Sequence, residues 1–200
     1  MDIHKDNVLY FGSGTKCKEL SNLYECDILY KGNVYSCVEN VYQSLKFIES
    51  DRCRFMKNGD LGGYDGLIKY GNIFYGKKSK EEFEKKMEYW RKKNCIGIIG
   101  KLSSSVKNVK KLGLTFVRIK DENENLLIFK EILIIKFENE KFKKILENSK
   151  GKYLVEFSRS CKRNFEKGII EKWCGLVDDD NKLYGKNLMG SLIMDIRENM

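Results

Sequence analysis

One stretch near the N-terminus, SCVENVYQSLKFI at residues 36–48, constrains this chain most, because it carries two different stripes at helical spacing. At about 100° per residue, the first stripe is apolar and comprises Val38, Val41, Leu45 and Ile48. The second is polar and comprises Glu39, Gln43 and Lys46, with Tyr42 beside it. The apolar stripe is expected to pack into a core and to hold the polar stripe rigidly. The polar stripe is then either a solvated helix face or part of an active site.

The start of this helix is predicted at Ser36. Ser36 and Glu39 are three residues apart, the spacing of a capping box, in which both side chains accept hydrogen bonds from the first free backbone amides.

Turn and periodicity signals predict the remaining elements. Strands are expected at 7–12 and 152–157, and a hairpin at 27–36 with its turn at Tyr30-Lys31-Gly32-Asn33. Helices are expected at 78–94, 106–114, 124–137, 137–151 and 187–199, whereas 158–172 is basic and irregular. This order predicts an α+β fold: a mostly helical single domain, residues 1–200, around a small β-sheet.

Composition limits the chemistry. The one histidine, His4, lies near the N-terminus, so reactions are expected to rely on carboxylates, lysines, tyrosines or water. The seven cysteines include no C-x-x-C pair, which favours reduced thiols in the cytoplasm over disulfides or a structural zinc site. Because no 18-residue apolar run is present, no membrane span is predicted.

The chain carries 38 basic and 29 acidic residues, a net charge of +9. This balance attracts anions, from nucleic acids to small phosphorylated ligands. The absence of proline and the abundance of lysine also indicate a bias toward AT-rich codons, which adds lysine without function. Charge alone therefore identifies no partner.

Five motifs follow one another along the chain. The longest is LSNLYECDILYKGNVYSCVENVYQSLKF at 20–47, preceded by the strand VLYFG at 8–12. The later motifs are KFENEKFKKIL at 136–146, KYLVEFSRS at 152–160, WCG at 173–175 and LYGKNLMGSLIMDIRE at 183–198. In type, order and spacing they resemble the motifs of the NADAR superfamily, to which the YbiA-type N-glycosidases belong. The resemblance covers nearly the whole chain, except an insertion-like segment at about 51–120.

The resemblance implies a compact α+β fold and hydrolysis of an N-glycosidic bond. Two substrate classes are attached to the superfamily: phosphoribosylamino-pyrimidine intermediates of riboflavin synthesis, and ADP-ribose attached to guanine in nucleic acid. Both present a ribose C1–N bond and phosphate. The implied partner is therefore a small phosphorylated ribosyl substrate or ADP-ribosylated nucleic acid, and neither a metal nor a cofactor is implied.

Roles follow for individual residues. Cleavage builds positive charge on C1 of the sugar, so a carboxylate near C1 stabilises that charge or activates a water. The expected catalytic residues are Glu39 as the carboxylate and Lys46, which either contacts phosphate or attacks the opened sugar as a neutral amine. Arg197 is expected to be a surface charge or a phosphate contact. The expected substrate-binding residues are Asn22 and Gln43 at sugar hydroxyls, Tyr42 and Trp173 against the base, Glu156 and Asn187.

Two positions depart from the superfamily pattern. Ile170 stands where many members have an aspartate, with Glu171 next to it, and ENENLLIF at 122–129 lacks a tryptophan that many members carry. Two other functions stay open. One is a non-catalytic module that binds ADP-ribose or nucleic acid in the same pocket, and the other is a basic nucleic-acid-binding protein with a broad positive face. The Glu39 and Lys46 pair favours the enzyme, since a pure binder does not need both.

Overall fold

The computed structural model describes residues 3–117 and 121–200. These residues divide into two compact units. Unit 1 comprises the chain up to Ser21 together with Phe137–Met200, and unit 2 is the intervening chain, Asn22–Lys136. The insertion-like segment predicted at about 51–120 falls within unit 2, and its residues 118–120 lie outside the described residues. The single domain expected for 1–200 stays a prediction.

The predicted α+β class is confirmed. In the described residues the strands form three two-stranded sheets, β1–β4, β2–β3 and β5–β6. In chain order the elements are β1 (Val8–Phe11), β2 (Ile28–Tyr30), β3 (Asn33–Tyr35), α1 (Val38–Ser44), α2 (Glu49–Arg52), α3 (Asp65–Lys69), α4 (Gly71–Tyr75), α5 (Lys80–Lys92), α6 (Ile98–Ser103), α7 (Val106–Val109), α8 (Glu122–Glu138), α9 (Glu140–Glu147), β4 (Tyr153–Glu156), α10 (Ser160–Glu166), β5 (Leu176–Val177), β6 (Leu183–Tyr184) and α11 (Leu188–Asn199).

Unit 1 is built on a parallel strand pair contributed by distant parts of the chain. β1 lies beside β4, with Leu9 opposite Leu154 and Phe11 opposite Glu156. α11 packs on β4, and this approach requires Gly190, because a Cβ there would overlap the carbonyl oxygen of Leu154. The apolar core of the unit includes the fully buried side chains Phe11, Leu154, Val155 and Ile193.

The hairpin predicted at 27–36 is confirmed in unit 2. β2 and β3 are antiparallel, with Tyr30 opposite Asn33. Between them, Lys31 and Gly32 have φ values of 49° and 78°. Both values are left-handed, as the tight turns that join two hairpin strands require.

The start of α1 differs from the prediction by one residue. Its N-cap is Cys37, whose Sγ accepts from Asn40 N at 3.4 Å. The Ser36 hydroxyl instead donates to the carbonyl oxygen of Gly62 at 2.8 Å. The predicted capping box is therefore wrong, because Ser36 is used to hold a distant loop and Glu39 is left for other partners.

α1 is buried on every side rather than on one stripe. All seven of its residues are buried, from Val38 to Ser44. The helix ends before Lys46, which lies in the following turn, and Ile48 is 37% exposed at the start of α2. Leu45 and Ile48 of the apolar stripe thus both come after the helix, since α1 ends at Ser44.

Two further differences concern unit 1. The segment predicted to be irregular contains α10, and α9 ends at Glu147, ahead of the expected Gly151. All seven cysteines are free thiols. Within the part of the chain that the structure describes, every helix is too short or too polar to cross a membrane.

Candidate active site

Glu39 is a buried carboxylate held by two side-chain amides. It is 5% exposed. Gln43, one helical turn later, donates from Nε2 to Glu39 Oε1 at 2.6 Å, and Asn22 donates from Nδ2 to Oε2. The backbone supports this pairing, since Glu39 N donates to Asn22 O at 2.9 Å. A buried carboxylate needs such partners, because an unpaired buried charge is strongly unfavourable. The alternative of a solvated helix face is therefore wrong.

The side-chain amides of Asn22 and Gln43 each have an oxygen that can accept a further hydrogen bond. Asn22 Oδ1 and Gln43 Oε1 are buried and accept no hydrogen bond from the described residues. Buried polar atoms without a partner are uncommon in folded proteins, and each calls for an explanation. Two such acceptors next to one carboxylate suit a ligand with several hydroxyl groups.

Lys46 is held against an aromatic pair. Its Nζ lies 4.5 Å from the ring centre of Tyr42. Phe129 of α8 stacks on the same ring, with the centroids 4.0 Å apart and the planes at 27°. Since the Tyr42 ring is buried and has these two contacts, it offers little surface to a base. The contacts favour a role for Tyr42 in holding Lys46 over the predicted stacking on a base.

Burial is the main cause of the pKa shifts of Lys46 and Tyr42. Burial lowers the pKa of Lys46, the charge of Glu39 opposes this change, and the charge of Lys101 adds to it. Burial, and then the charge of Glu39, raises the pKa of Tyr42 to about 12. Tyr42 is therefore a neutral hydrogen-bond donor at neutral pH, whereas Lys46 loses its proton more readily than a surface lysine does.

Two glycines bring α6 against α1. A Cβ on Gly97, which precedes α6, would lie 2.9 Å from Glu39 Cβ and 3.0 Å from Cys37 Sγ. A Cβ on Gly100 would lie 2.6 Å from Asn40 Oδ1. Larger residues would therefore separate the helices and displace Glu39.

The other three predicted substrate-binding residues lie in unit 1. Asn187 is fully buried, and its Oδ1 accepts from Glu156 N at 3.0 Å while its Nδ2 donates to Leu154 O at 2.8 Å. These bonds favour a structural role, in which Asn187 joins the start of α11 to β4. Glu156 and Trp173 are half-buried, and their contact with a substrate stays a prediction.

Arg197, near the end of α11, is neither a surface charge nor exposed to a phosphate. It is 4% exposed. Its Nη1 donates to the carbonyl oxygens of Ser149 and Lys152 at 2.6 and 3.0 Å. Arg197 therefore braces the turn ahead of β4.

The structure shows what surrounds the two positions that depart from the superfamily pattern. Ile170 is 55% exposed. Glu171 accepts from Asn164 Nδ2 at 2.5 Å and from Ser160 Oγ at 3.3 Å, so it supports α10. In the stretch that lacks the tryptophan, Phe129 supplies the ring that packs on Tyr42.

Sequence reasoning missed Gly97 and Gly100, which pack against α1, and Lys101, whose charge lowers the pKa of Lys46. A signal was present in CIGIIGK at 95–101, because glycines three residues apart are on one helix face and allow close packing. Among the described residues, no group of three or more His, Cys, Asp or Glu side chains is arranged to hold a metal ion.

Comparison with known proteins finds a solved structure of similar fold. No protein-family model matches the chain, and no curated protein matches it significantly. Among solved structures, it is similar to the E. coli protein YbiA, determined by NMR, with a TM-score of 0.54 and 17% sequence identity. The likeness covers 98% of this chain and 86% of YbiA. At this identity the likeness establishes a shared fold, and at that level it confirms the resemblance drawn from the motifs.

Proposed function

We propose that this protein, which has the YbiA fold, is an N-glycosidase that hydrolyses the ribose C1–N bond of a phosphorylated ribosyl substrate. The observation that carries the proposal is the buried carboxylate of Glu39, held by Asn22 and Gln43 near Lys46. Apolar side chains of similar volume would stabilise a core at least as well as this charged group. Because burying the charge of Glu39 costs stability, its presence in the core supports a chemical role.

Glu39 suits the charge that develops in this reaction. Hydrolysis adds water across the C1–N bond, with the hydroxyl going to C1 and the proton to the departing nitrogen. As the bond breaks, positive charge grows on C1, and a carboxylate stabilises it or takes the proton of the attacking water. Burial strengthens this interaction, because fewer water molecules screen it.

Asn22 and Gln43 have two tasks in this proposal. Their N–H groups hold both oxygens of Glu39, which prevents the carboxylate from rotating away from C1. Their free oxygens, Asn22 Oδ1 and Gln43 Oε1, accept hydrogen bonds from the sugar hydroxyls.

Lys46 has two candidate tasks. As an ammonium it contacts phosphate. As a neutral amine, its Nζ adds to C1 of the opened sugar, the base departs as an amine, and water then releases the sugar aldehyde and restores the lysine. The lowered pKa of Lys46 favours the second task, since only the neutral amine has a lone pair to donate.

A cleavage assay tests the proposal. The wild type is offered ADP-ribosyl-guanine DNA and a phosphoribosylamino-uracil side by side, and the release of base and sugar is followed. We expect Glu39→Gln and Lys46→Met each to lose about 100-fold or more in rate, the range typical of acid–base groups. The substrate that is cleaved identifies the class.

The matched controls are Glu49→Gln and Lys107→Met, which change exposed residues of the same types in unit 2. Both should cleave at the wild-type rate, and thermal unfolding of all four variants shows that they are folded. Binding of ADP-ribose without release of base from either substrate would refute the enzyme and support the non-catalytic binding module.

A further inference from the structure

Gly97 and Gly100 both lie against the start of α1. Gly97 lies against Cys37 and Glu39, and Gly100 lies against Asn40, so the order of contacts rises along both helices. Lys101 follows one helical turn after Gly97, and its N donates to Gly97 O at 3.1 Å. Residues four apart share a helix face. Lys101 is therefore on the side of α6 that follows Gly97, the residue that lies against Glu39.

This position sets Lys101 near Lys46, which lies two residues after the end of α1. Lys101 is exposed, whereas Lys46 is half-buried against Tyr42. The closeness of the two is also seen in the protonation of Lys46, whose pKa the charge of Lys101 lowers.

We infer that Lys101 binds the phosphate of the ribosyl substrate and that Lys46 is thereby left to act at C1. The inference rests on the proposed function and assigns one task to each lysine. An exposed ammonium on a flexible side chain adapts to a phosphate. The half-buried lysine lies at the sugar, beside Glu39 and the free amide oxygens of Asn22 and Gln43.

Calorimetric titration with ADP-ribose tests the inference without requiring catalysis. Adenosine is the probe without phosphate. We expect Lys101→Met to bind ADP-ribose about tenfold more weakly than the wild type, because a charge-assisted contact is lost. Lys101→Arg should retain binding, and the affinity for adenosine should be the same in all variants. The matched control is Lys107→Met, on the next helix, which should bind ADP-ribose within about twofold of the wild type.

Kinetics supply a second readout. For the cleaved substrate, Lys101→Met should raise KM about tenfold, and for its dephosphorylated form it should leave KM unchanged. The rising limb of the pH–rate profile for kcat/KM should also move to higher pH, because the charge of Lys101 lowers the pKa of Lys46 and its removal lets that pKa rise. A purely structural role for Lys101 would not move this limb.

The two proposals fail in different ways. If the wild type cleaves a substrate and Lys101→Met changes neither KM nor the affinity for ADP-ribose, the phosphate role is overturned and the N-glycosidase stands. If Lys107→Met weakens binding as much as Lys101→Met does, the effect is one of overall charge and the inference is also overturned. If ADP-ribose binding depends on Lys101 but neither substrate is cleaved, the proposed activity fails and the phosphate site stands.

Discussion

Asn187, Arg197 and Glu39 are three buried polar residues with different kinds of partner. Asn187 and Arg197 bond to backbone groups around β4, so their polar atoms complete the fold of unit 1. Glu39 bonds to the side chains of Asn22 and Gln43, and each of these leaves a buried oxygen unsatisfied. At the residue scale, Asn187 and Arg197 thus differ from Asn22 and Gln43, whose unsatisfied oxygens call for an explanation.

Lys46 should make stability depend on pH. Its pKa in the folded protein is below its ordinary value of 10.5. Between these two pKa values the unfolded chain binds more protons, so the free energy of unfolding rises with pH. Below the folded pKa the cost of burying the charge is fully present. The stability of Lys46→Met relative to the wild type should therefore fall as the pH is raised toward 10.5.

Urea unfolding followed by circular dichroism at pH 7 and pH 10 measures this change. Lys107→Met is the control for the removal of a lysine, since Lys107 is exposed. A Lys46→Met difference that stays constant or grows with pH would contradict the lowered pKa.

Most helices of this protein are short, and α1 has only seven residues. Isolated helices of this length are unstable in water. α1 persists because neighbouring elements cover it completely, α6 through Gly97 and Gly100 and α8 through Phe129. At the element scale, the position of Glu39 therefore depends on the packing around α1.

Gly97→Ala should disturb this packing. The added Cβ would meet Glu39 Cβ, Leu23 Cα and Cys37 Sγ, all between 2.9 and 3.0 Å away. We expect a loss of about 1–3 kcal/mol in the free energy of unfolding, together with slower cleavage, since Glu39 moves. Gly63→Ala is the control, because no atom lies within 4 Å of its added Cβ, and it should stay within about 1 kcal/mol of the wild type. Equal effects of the two changes, measured by urea unfolding, would show that α6 does not approach α1 this closely.

The whole molecule combines a continuous unit with a discontinuous one. Unit 2 is a single stretch of chain, whereas unit 1 needs both its N-terminal segment and the chain after Phe137. The β1–β4 pair joins residues near position 8 to residues near position 153. Closing so long a loop is entropically costly and slow.

During refolding, unit 2 should therefore gain protection first. Pulse-labelling hydrogen exchange should show the amides of α1 protected before those of β1 and β4. β1 and β4 should become protected together, because each supplies the partner of the other. Protection of β4 well before β1 would show that β4 folds without this pairing.

Local signals in the sequence predicted much of the fold. The hairpin follows from Lys31 and Gly32, which adopt left-handed conformations in its turn. The long apolar run at 124–137 lies within α8, and the residues after Asn187 form α11. The N-cap of α1 was missed because Ser36 bonds to Gly62, which is distant in the sequence and is not indicated by any local pattern.

The sequence by itself determined that Glu39 and Gln43 meet, because residues four apart share a helix face whatever surrounds them. Only the tertiary structure decided that Asn22 donates the second hydrogen bond to Glu39, that Phe129 covers Tyr42 and that Gly97 and Gly100 lie against the start of α1. These contacts join residues many positions apart, and they depend on which faces fit together when the chain packs. The periodicity of a sequence predicts which residues share a helix face, but it does not predict which residues pack against that face.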